Sequence, residues 1–148
     1  MGAVLIGSQV KNLVPGVHGS TFGGNPLSCA AALAALSVIE EENLPRQALV
    51  KGAYLRDKLR RIESPNIREV RGIGLMVGIE LKEKVAPFIK ALQEKQIIAL
   101  NAGMTVIRLL PPLVISYRQI DHLVDVLTEV LSTDLETDKR IEADVVSG

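Results

Sequence analysis

A helix that is apolar on nearly every side places the strongest constraint on how this chain can fold. The pattern predicts the helix over residues 27–41, a segment rich in alanine and larger aliphatic residues. Asn25 and Pro26 before it suit an N-cap and a first helical position. Such a helix is stable only when other elements cover most of its sides. We therefore expect it to be buried in a larger structure.

The residues before this helix offer it few partners. Residues 3–6 form a short apolar run between glycines, which predicts a strand buried on both faces, and residues 14–24 form a glycine-rich loop. A lone strand cannot satisfy its backbone hydrogen-bonding groups. We therefore interpret residues 1–42 as the end of a domain that is otherwise absent from this sequence.

The remainder of the chain has the pattern of a self-contained α+β domain over residues 43–132. We predict a helix over 44–62, a hairpin of strands 67–70 and 75–81, a helix over 85–95, strands 97–100 and 105–110, and a last helix. One stripe of the last helix is apolar and is expected to be buried: Ile120, Leu123, Val124, Leu127, Val130 and Leu131. The charged tail, residues 133–148, is predicted to be poorly ordered.

Composition excludes several classes of function. The chain has 148 residues, and 17 basic residues balance 17 acidic ones, so its charge gives no reason to expect nucleic acid or an anionic membrane as a partner. A single cysteine excludes a Cys-rich metal site, and we predict no metal. No apolar run reaches the roughly 18 residues of a membrane span. We expect a cytoplasmic protein.

Two places carry polar groups that could bind a ligand. Ser20 and Thr21 lie in the glycine-rich loop, where hydroxyls could bind a phosphate or simply cap their own turn. Arg108 lies in the otherwise apolar strand 105–110. Because burying an unpaired guanidinium is costly, Arg108 either faces a polar cavity or points outward from an amphipathic strand. Its planar fork suits a carboxylate.

Three segments, in this order, resemble motifs of the class III (subgroup II) pyridoxal-phosphate aminotransferases. Residues 18–27 read HGSTFGGNPL, residues 70–81 read VRGIGLMVGIEL, and residues 107–115 read IRLLPPLVI. The resemblance covers residues 1 to about 132 and is closest to the acetylornithine and LysW-γ-L-lysine aminotransferases. It implies an aspartate aminotransferase-like (fold type I) α/β and α+β fold: the last piece of the large cofactor-binding domain followed by the complete small C-terminal domain.

The resemblance also implies an activity and a set of roles. The complete enzyme would transfer a terminal amino group from N-acetylornithine or LysW-γ-lysine to 2-oxoglutarate, in arginine or lysine biosynthesis, with pyridoxal 5'-phosphate as cofactor. Thr21, with Ser20 beside it, would contact the phosphate of the neighbouring subunit's cofactor in a homodimer. Arg108 would bind the substrate carboxylate.

The catalytic lysine is the main departure from the family pattern. The Schiff-base lysine is expected just upstream of Met1, and none of the chain's eight lysines lies in a comparable context. No catalytic residue is therefore assigned, and the chain alone is predicted to be inactive. Three alternatives stay open: half of a split enzyme, including an ornithine or 4-aminobutyrate type, that binds a complementary N-terminal fragment; a non-catalytic remnant or interaction module; or a free-standing binding domain of residues 64–132.

Other conspicuous residues have ordinary structural interpretations. Cys29 is interpreted as a small buried packing residue. His122 faces away from the apolar stripe of its helix and is expected to be solvated. Gly72, Gly74 and Gly78 are interpreted as requirements of the hairpin and of close packing, because no phosphate-binding helix follows them.

Overall fold

The computed structural model describes residues 2–11, 14, 16 and 18–132. Its elements are α1 (Pro26–Glu41), α2 (Leu44–Arg60), β1 (Ile67–Ile73), β2 (Met76–Leu81), α3 (Ala86–Glu94), β3 (Leu100–Ala102), β4 (Val106–Leu109) and α4 (Tyr117–Ser132). The chain divides into two compact units, residues 1–43 and 44–148. The predicted disordered tail, 133–148, lies outside the described residues. None of the described helices has the length and apolar character needed to cross a membrane.

In the first unit, the helix begins as predicted but is not buried. The side chain of Asn25 accepts a hydrogen bond from the Ser28 amide, and proline occupies the first turn of α1. No residue of α1 is buried, and Cys29 is only half-buried. Burial of this helix was expected within a larger domain, which the described residues do not include, so that expectation stays a prediction. The strand predicted at 3–6 is wrong: these residues are exposed and belong to none of the described strands.

The second unit is a four-stranded sheet covered by helices on one face. The strand order is β1-β2-β4-β3, and every neighbouring pair is antiparallel. Buried side chains alternate along β2 and β4 and join one core cluster with residues of α2, α3 and α4. The intervening residues of these strands face the opposite, uncovered side of the sheet. This alternation places Arg108 on the uncovered side.

The hairpin between β1 and β2 turns later than predicted. We expected the turn at 71–74, but β1 continues to Ile73, and the left-handed Gly74 (φ 52°) forms the turn. Helix α2 packs tightly against it: a Cβ on Gly52 would overlap the Gly74 carbonyl. The Arg56 guanidinium donates a hydrogen bond of 2.8 Å to that same carbonyl oxygen. The turn is therefore held by tertiary contacts that the local sequence does not reveal.

The third strand also lies further along the chain than predicted. Instead of 97–100, β3 spans Leu100–Ala102, and the left-handed turn residue is Gly103 (φ 72°). The Ile97 amide bonds the Leu92 carbonyl at 2.9 Å and keeps the chain on the end of α3. Pairing with β4 therefore begins only at Leu100, opposite Arg108.

Helix α4 agrees with the prediction. All six residues of its apolar stripe are buried, and His122 is exposed. At its N-terminal end, the Asp121 carboxylate accepts a hydrogen bond from the Tyr54 hydroxyl and an ion pair from Lys58, each 2.7 Å long. These two partners, Lys58 first, hold the pKa of Asp121 below its ordinary value, and Asp121 in turn raises the pKa of Lys58. Tyr117 packs edge-on against Tyr54, so the network joins α2 to α4.

Candidate functional site

The first candidate group is the loop that leads into α1. Ser20 and Thr21 are both exposed, and the Ser20 carbonyl accepts a turn hydrogen bond from the Gly23 amide at 3.4 Å. The side chain of Asn25 is occupied by local bonds, because its amide donates to the Phe22 carbonyl and to the Ser28 hydroxyl. Asn25 is thus a helix cap, whereas the exposed hydroxyls of Ser20 and Thr21 stay free to meet a ligand.

The second candidate group is Arg108, in the middle of β4. Its side chain is half-buried, and its Nε atom is buried without a hydrogen-bond partner. A buried donor that is left unpaired costs free energy of about 1–3 kcal/mol. Among the described residues, the salt bridges do not include Arg108. The Arg108 Nε–H is therefore a donor for which the described residues supply no acceptor.

Strand register places a second arginine in the same row of the sheet. Arg71 on β1 lies opposite Gly78 on β2, and Gly78 lies opposite Arg108 on β4. Gly78 is tightly packed, because a Cβ there would lie 3.2 Å from a Val106 methyl carbon, closer than ordinary van der Waals contact. The row thus presents two guanidinium groups on one open face.

The two arginines differ in their partners. Arg71 bonds the carboxylates of Glu69, at 2.8 Å, and Glu80. Arg68 bonds the other oxygen of Glu80 at 3.0 Å. Bonds from Arg71, and then from Arg68, hold the pKa of Glu80 below its ordinary value, so this carboxylate is ionised and doubly paired at neutral pH. Arg71 is paired with two carboxylates, whereas no salt bridge among the described residues includes Arg108.

Two concave surfaces of the second unit, formed by described residues, lie away from Arg108. An open groove of about 500 Å³ runs between the 96–98 loop, the segment 109–112 and α4, and it includes His122 at its rim. A second groove lies beside Met104 and the start of α3. Arg108 lines neither of them. Its acceptor would approach the uncovered face of the sheet.

A comparison of the sequence with known protein families identifies the family of the chain. The profile of the class III aminotransferases matches residues 1–131. The chain belongs to this family. The resemblance inferred from the three motifs is thereby confirmed, as is the fold class.

Individual relatives within this family are also similar to the chain in sequence. The [LysW]-aminoadipate semialdehyde transaminase of Deinococcus radiodurans is 54% identical over 127 residues, covering 84% of this chain and 30% of the relative. Ornithine aminotransferase 2 of Staphylococcus aureus is 44% identical over 131 residues, covering 88% of this chain and 33% of the relative. The chain thus spans about a third of the length of these proteins.

Solved structures give the same result. Acetylornithine aminotransferase from Elizabethkingia anophelis superposes with a TM-score of 0.73 at 36% identity, over 80% of this chain and 33% of that one. Ornithine aminotransferase from Toxoplasma gondii, whose active site holds pyridoxal phosphate at partial occupancy, superposes with a TM-score of 0.75 at 36% identity, over 86% of this chain and 32% of that one.

Pyridoxal phosphate is the cofactor of this family, and the donor set of the first unit suits part of it. Adjacent exposed hydroxyls of Ser20 and Thr21 are the type of donor that a phosphate accepts from, and they precede the N-terminus of α1. Among the described residues of the first unit, no buried polar side-chain atom lacks a partner, so the evidence for a cofactor contact there is limited to these two hydroxyls. The residues fit the phosphate end of the cofactor alone.

Sequence reasoning missed the ion pairs beside Arg108. It identified the hairpin of β1 and β2 but took no account of Arg68, Arg71, Glu69 and Glu80. Charged residues at both ends of the hairpin strands were the available signal. Their pairing depends on the register of the hairpin, which the predicted turn position placed incorrectly.

Proposed function

We propose that this chain supplies the substrate-carboxylate site and a phosphate contact of a pyridoxal-phosphate-dependent aminotransferase. The reaction would transfer a terminal amino group from N-acetylornithine or LysW-γ-lysine to 2-oxoglutarate, in arginine or lysine biosynthesis. The observation that carries this proposal is the unpartnered Nε of Arg108 on an open sheet face. The acetylornithine, ornithine and LysW-linked names of its relatives support the substrate class.

Each proposed residue has a defined task. When bound, the cofactor supplies an electron sink for the amino-group transfer. Arg108 would hold a substrate carboxylate through two parallel hydrogen bonds and so orient the amino group. Thr21, with Ser20, would bind the cofactor phosphate of a neighbouring subunit, which makes the homodimer part of the proposal. We also propose a cytoplasmic location, supported by the single cysteine of the chain.

We further propose that the chain alone is inactive. Covalent attachment of the cofactor and proton transfer need a lysine, and none of the eight lysines here is assigned to that role. A complementary polypeptide with the upstream part of the fold would provide it. The chain covers only 30% of the Deinococcus relative, which leaves ample sequence for such a partner.

A second candidate function is an interaction module without catalysis. The observation that favours it is helix α1, in which none of 16 residues is buried despite its apolar composition. In this alternative, α1 would bind a complementary fragment or a complete aminotransferase, and Arg108 would contribute nothing to turnover.

A chimeric enzyme distinguishes these functions. Residues 1–132 would replace the matching third of the Deinococcus transaminase, and turnover would be measured with N-acetylornithine, ornithine and LysW-γ-lysine as donors. We expect activity, and we expect Arg108→Ala to raise KM for 2-oxoglutarate at least about tenfold, since it removes a bidentate ion pair. Arg118→Ala, an exposed arginine in α4, is the matched control. A folded chimera in which Arg108→Ala leaves KM unchanged would contradict the proposed carboxylate role.

A further inference from the structure

The neighbourhood of Arg108 contains a carboxylate that could neutralise it. Gly78 lies directly opposite Arg108, and Glu80 is two residues further along β2 on the same face. Diagonal neighbours of this kind lie about 7–8 Å apart at the backbone, within reach of long side chains. A glutamate and an arginine in such positions would be expected to pair. In this structure they do not, because Glu80 is bound by other groups.

Two arginines on β1 hold the Glu80 carboxylate. Arg68 donates to one oxygen at 3.0 Å, and Arg71 donates to the other. The Glu80 side chain is only 20% exposed, whereas those of Arg68 and Arg71 are 57% and 46% exposed. The carboxylate is therefore directed toward β1, on the side of β2 opposite to β4 and Arg108.

We propose that Arg68 and Arg71 are positioning residues that keep Glu80 away from Arg108 and so leave the Arg108 guanidinium available to an external carboxylate. Both oxygens of Glu80 have a guanidinium partner, so the acid gains nothing by moving across the strand. This inference rests on the proposed role of Arg108 as a carboxylate-binding group.

The test uses the full chain and follows the Arg108 Nε–H resonance by NMR while 2-oxoglutarate is added. In the variant Arg68→Gln/Arg71→Gln, Glu80 is released and competes for Arg108. We expect the resonance to move before any ligand is added, and the dissociation constant for 2-oxoglutarate to rise by roughly three- to fivefold, as for a partly exposed ion pair. Adding Glu80→Gln to this variant should reverse both effects.

Two controls separate this effect from a general loss of positive charge. Arg61→Gln/Arg118→Gln, the helix control, removes two exposed arginines, one just after α2 and one in α4, and Glu80→Gln alone removes the competitor. Each should change the dissociation constant by less than about twofold. Should the Arg68→Gln/Arg71→Gln variant fail to give the dispersed amide spectrum of a folded chain, Arg71→Gln alone is measured, with a smaller change expected in the same direction.

The outcomes for the two proposals differ. If the Arg68→Gln/Arg71→Gln variant behaves like the helix control, or if Glu80→Gln does not restore its resonance, the positioning role is wrong. If wild-type Arg108 does not respond to 2-oxoglutarate, the proposed carboxylate role is wrong. The ligand-free shift of the Arg108 resonance still decides whether Glu80 is held away.

Discussion

The two units of this chain are both rich in apolar residues, yet only one of them has a core. Every buried hydrophobic residue described lies at or after Leu44. In the first unit, Leu33 and Leu36 of α1 are 66% and 55% exposed, whereas Leu55 and Leu59 of α2 are completely buried. Burial is thus decided by the neighbours that a helix finds, and apolar composition alone does not provide them.

Helix α4 shows why a helix of the second unit needs cover from fewer neighbouring elements than α1 does. Its single apolar stripe requires cover on one side, and the sheet with α2 and α3 supplies it. Helix α1 is apolar nearly all round and would need cover from several directions. The second unit therefore buries its apolar stripe with its own elements. In the first unit, the described residues do not cover the apolar sides of α1.

The two phenylalanines of the chain test this difference most strongly. Phe88 in α3 is 1% exposed, and Phe22 in the first unit is 81% exposed. We expect Phe88→Ala to lower the free energy of unfolding by about 3–5 kcal/mol, because it opens a cavity in the core. Phe22→Ala should change it by less than about 0.5 kcal/mol. Urea unfolding followed by far-ultraviolet circular dichroism measures both, and equal losses would refute the contrast.

Two glycines provide a second comparison. A methyl group on Gly52 would overlap the Gly74 carbonyl, whereas one on Gly7 would meet no atom within 4 Å. We expect Gly52→Ala to lower the free energy of unfolding by about 1–3 kcal/mol, since α2 and the hairpin turn must separate. Gly7→Ala should be close to neutral. A neutral Gly52→Ala, measured in the same urea assay, would show that α2 does not pack against this turn.

The smallest expected effect comes from the network between α2 and α4. Because bonds from Lys58 and Tyr54 lower the pKa of Asp121, its contribution to stability is present above the ordinary value, about pH 4, and is lost as the pH falls through the lowered value. We expect Asp121→Asn to destabilise slightly at pH 7, and the difference from wild type to vanish in acid. Asp125→Asn, an exposed acid in the same helix, is the control. A difference that persists unchanged in acid would contradict this.

Much of the second unit could be predicted because its pattern and its packing agree. The stripe of α4 and the strand around Arg108 could be identified from the local sequence, and both are confirmed. The start of β3 and the hairpin turn could not be predicted, since the first depends on pairing with β4 and the second on the contact between Gly52 and Gly74. In the first unit, burial of α1 was predicted from composition, and composition does not say whether partners are present.

In the candidate site, too, some features could be predicted from the sequence and others could not. Arg108 could be identified because a charge in an apolar strand is conspicuous, and its buried, unpartnered Nε agrees with that reasoning. The doubly bound state of Glu80 could not be predicted, because it depends on the register of β1 against β2. Binding of phosphate by Thr21 and Ser20 stays a prediction.

The central proposal is that Ser20, Thr21 and Arg108 are binding groups of a class III aminotransferase, and that none of the eight lysines in this sequence anchors the cofactor. The most direct measurement is titration of the purified chain with pyridoxal phosphate, reduction with borohydride and peptide mass spectrometry. We predict weak modification spread over several of the eight lysines of the sequence, with no saturation at one of them. Saturable, stoichiometric labelling of a single lysine would contradict the account.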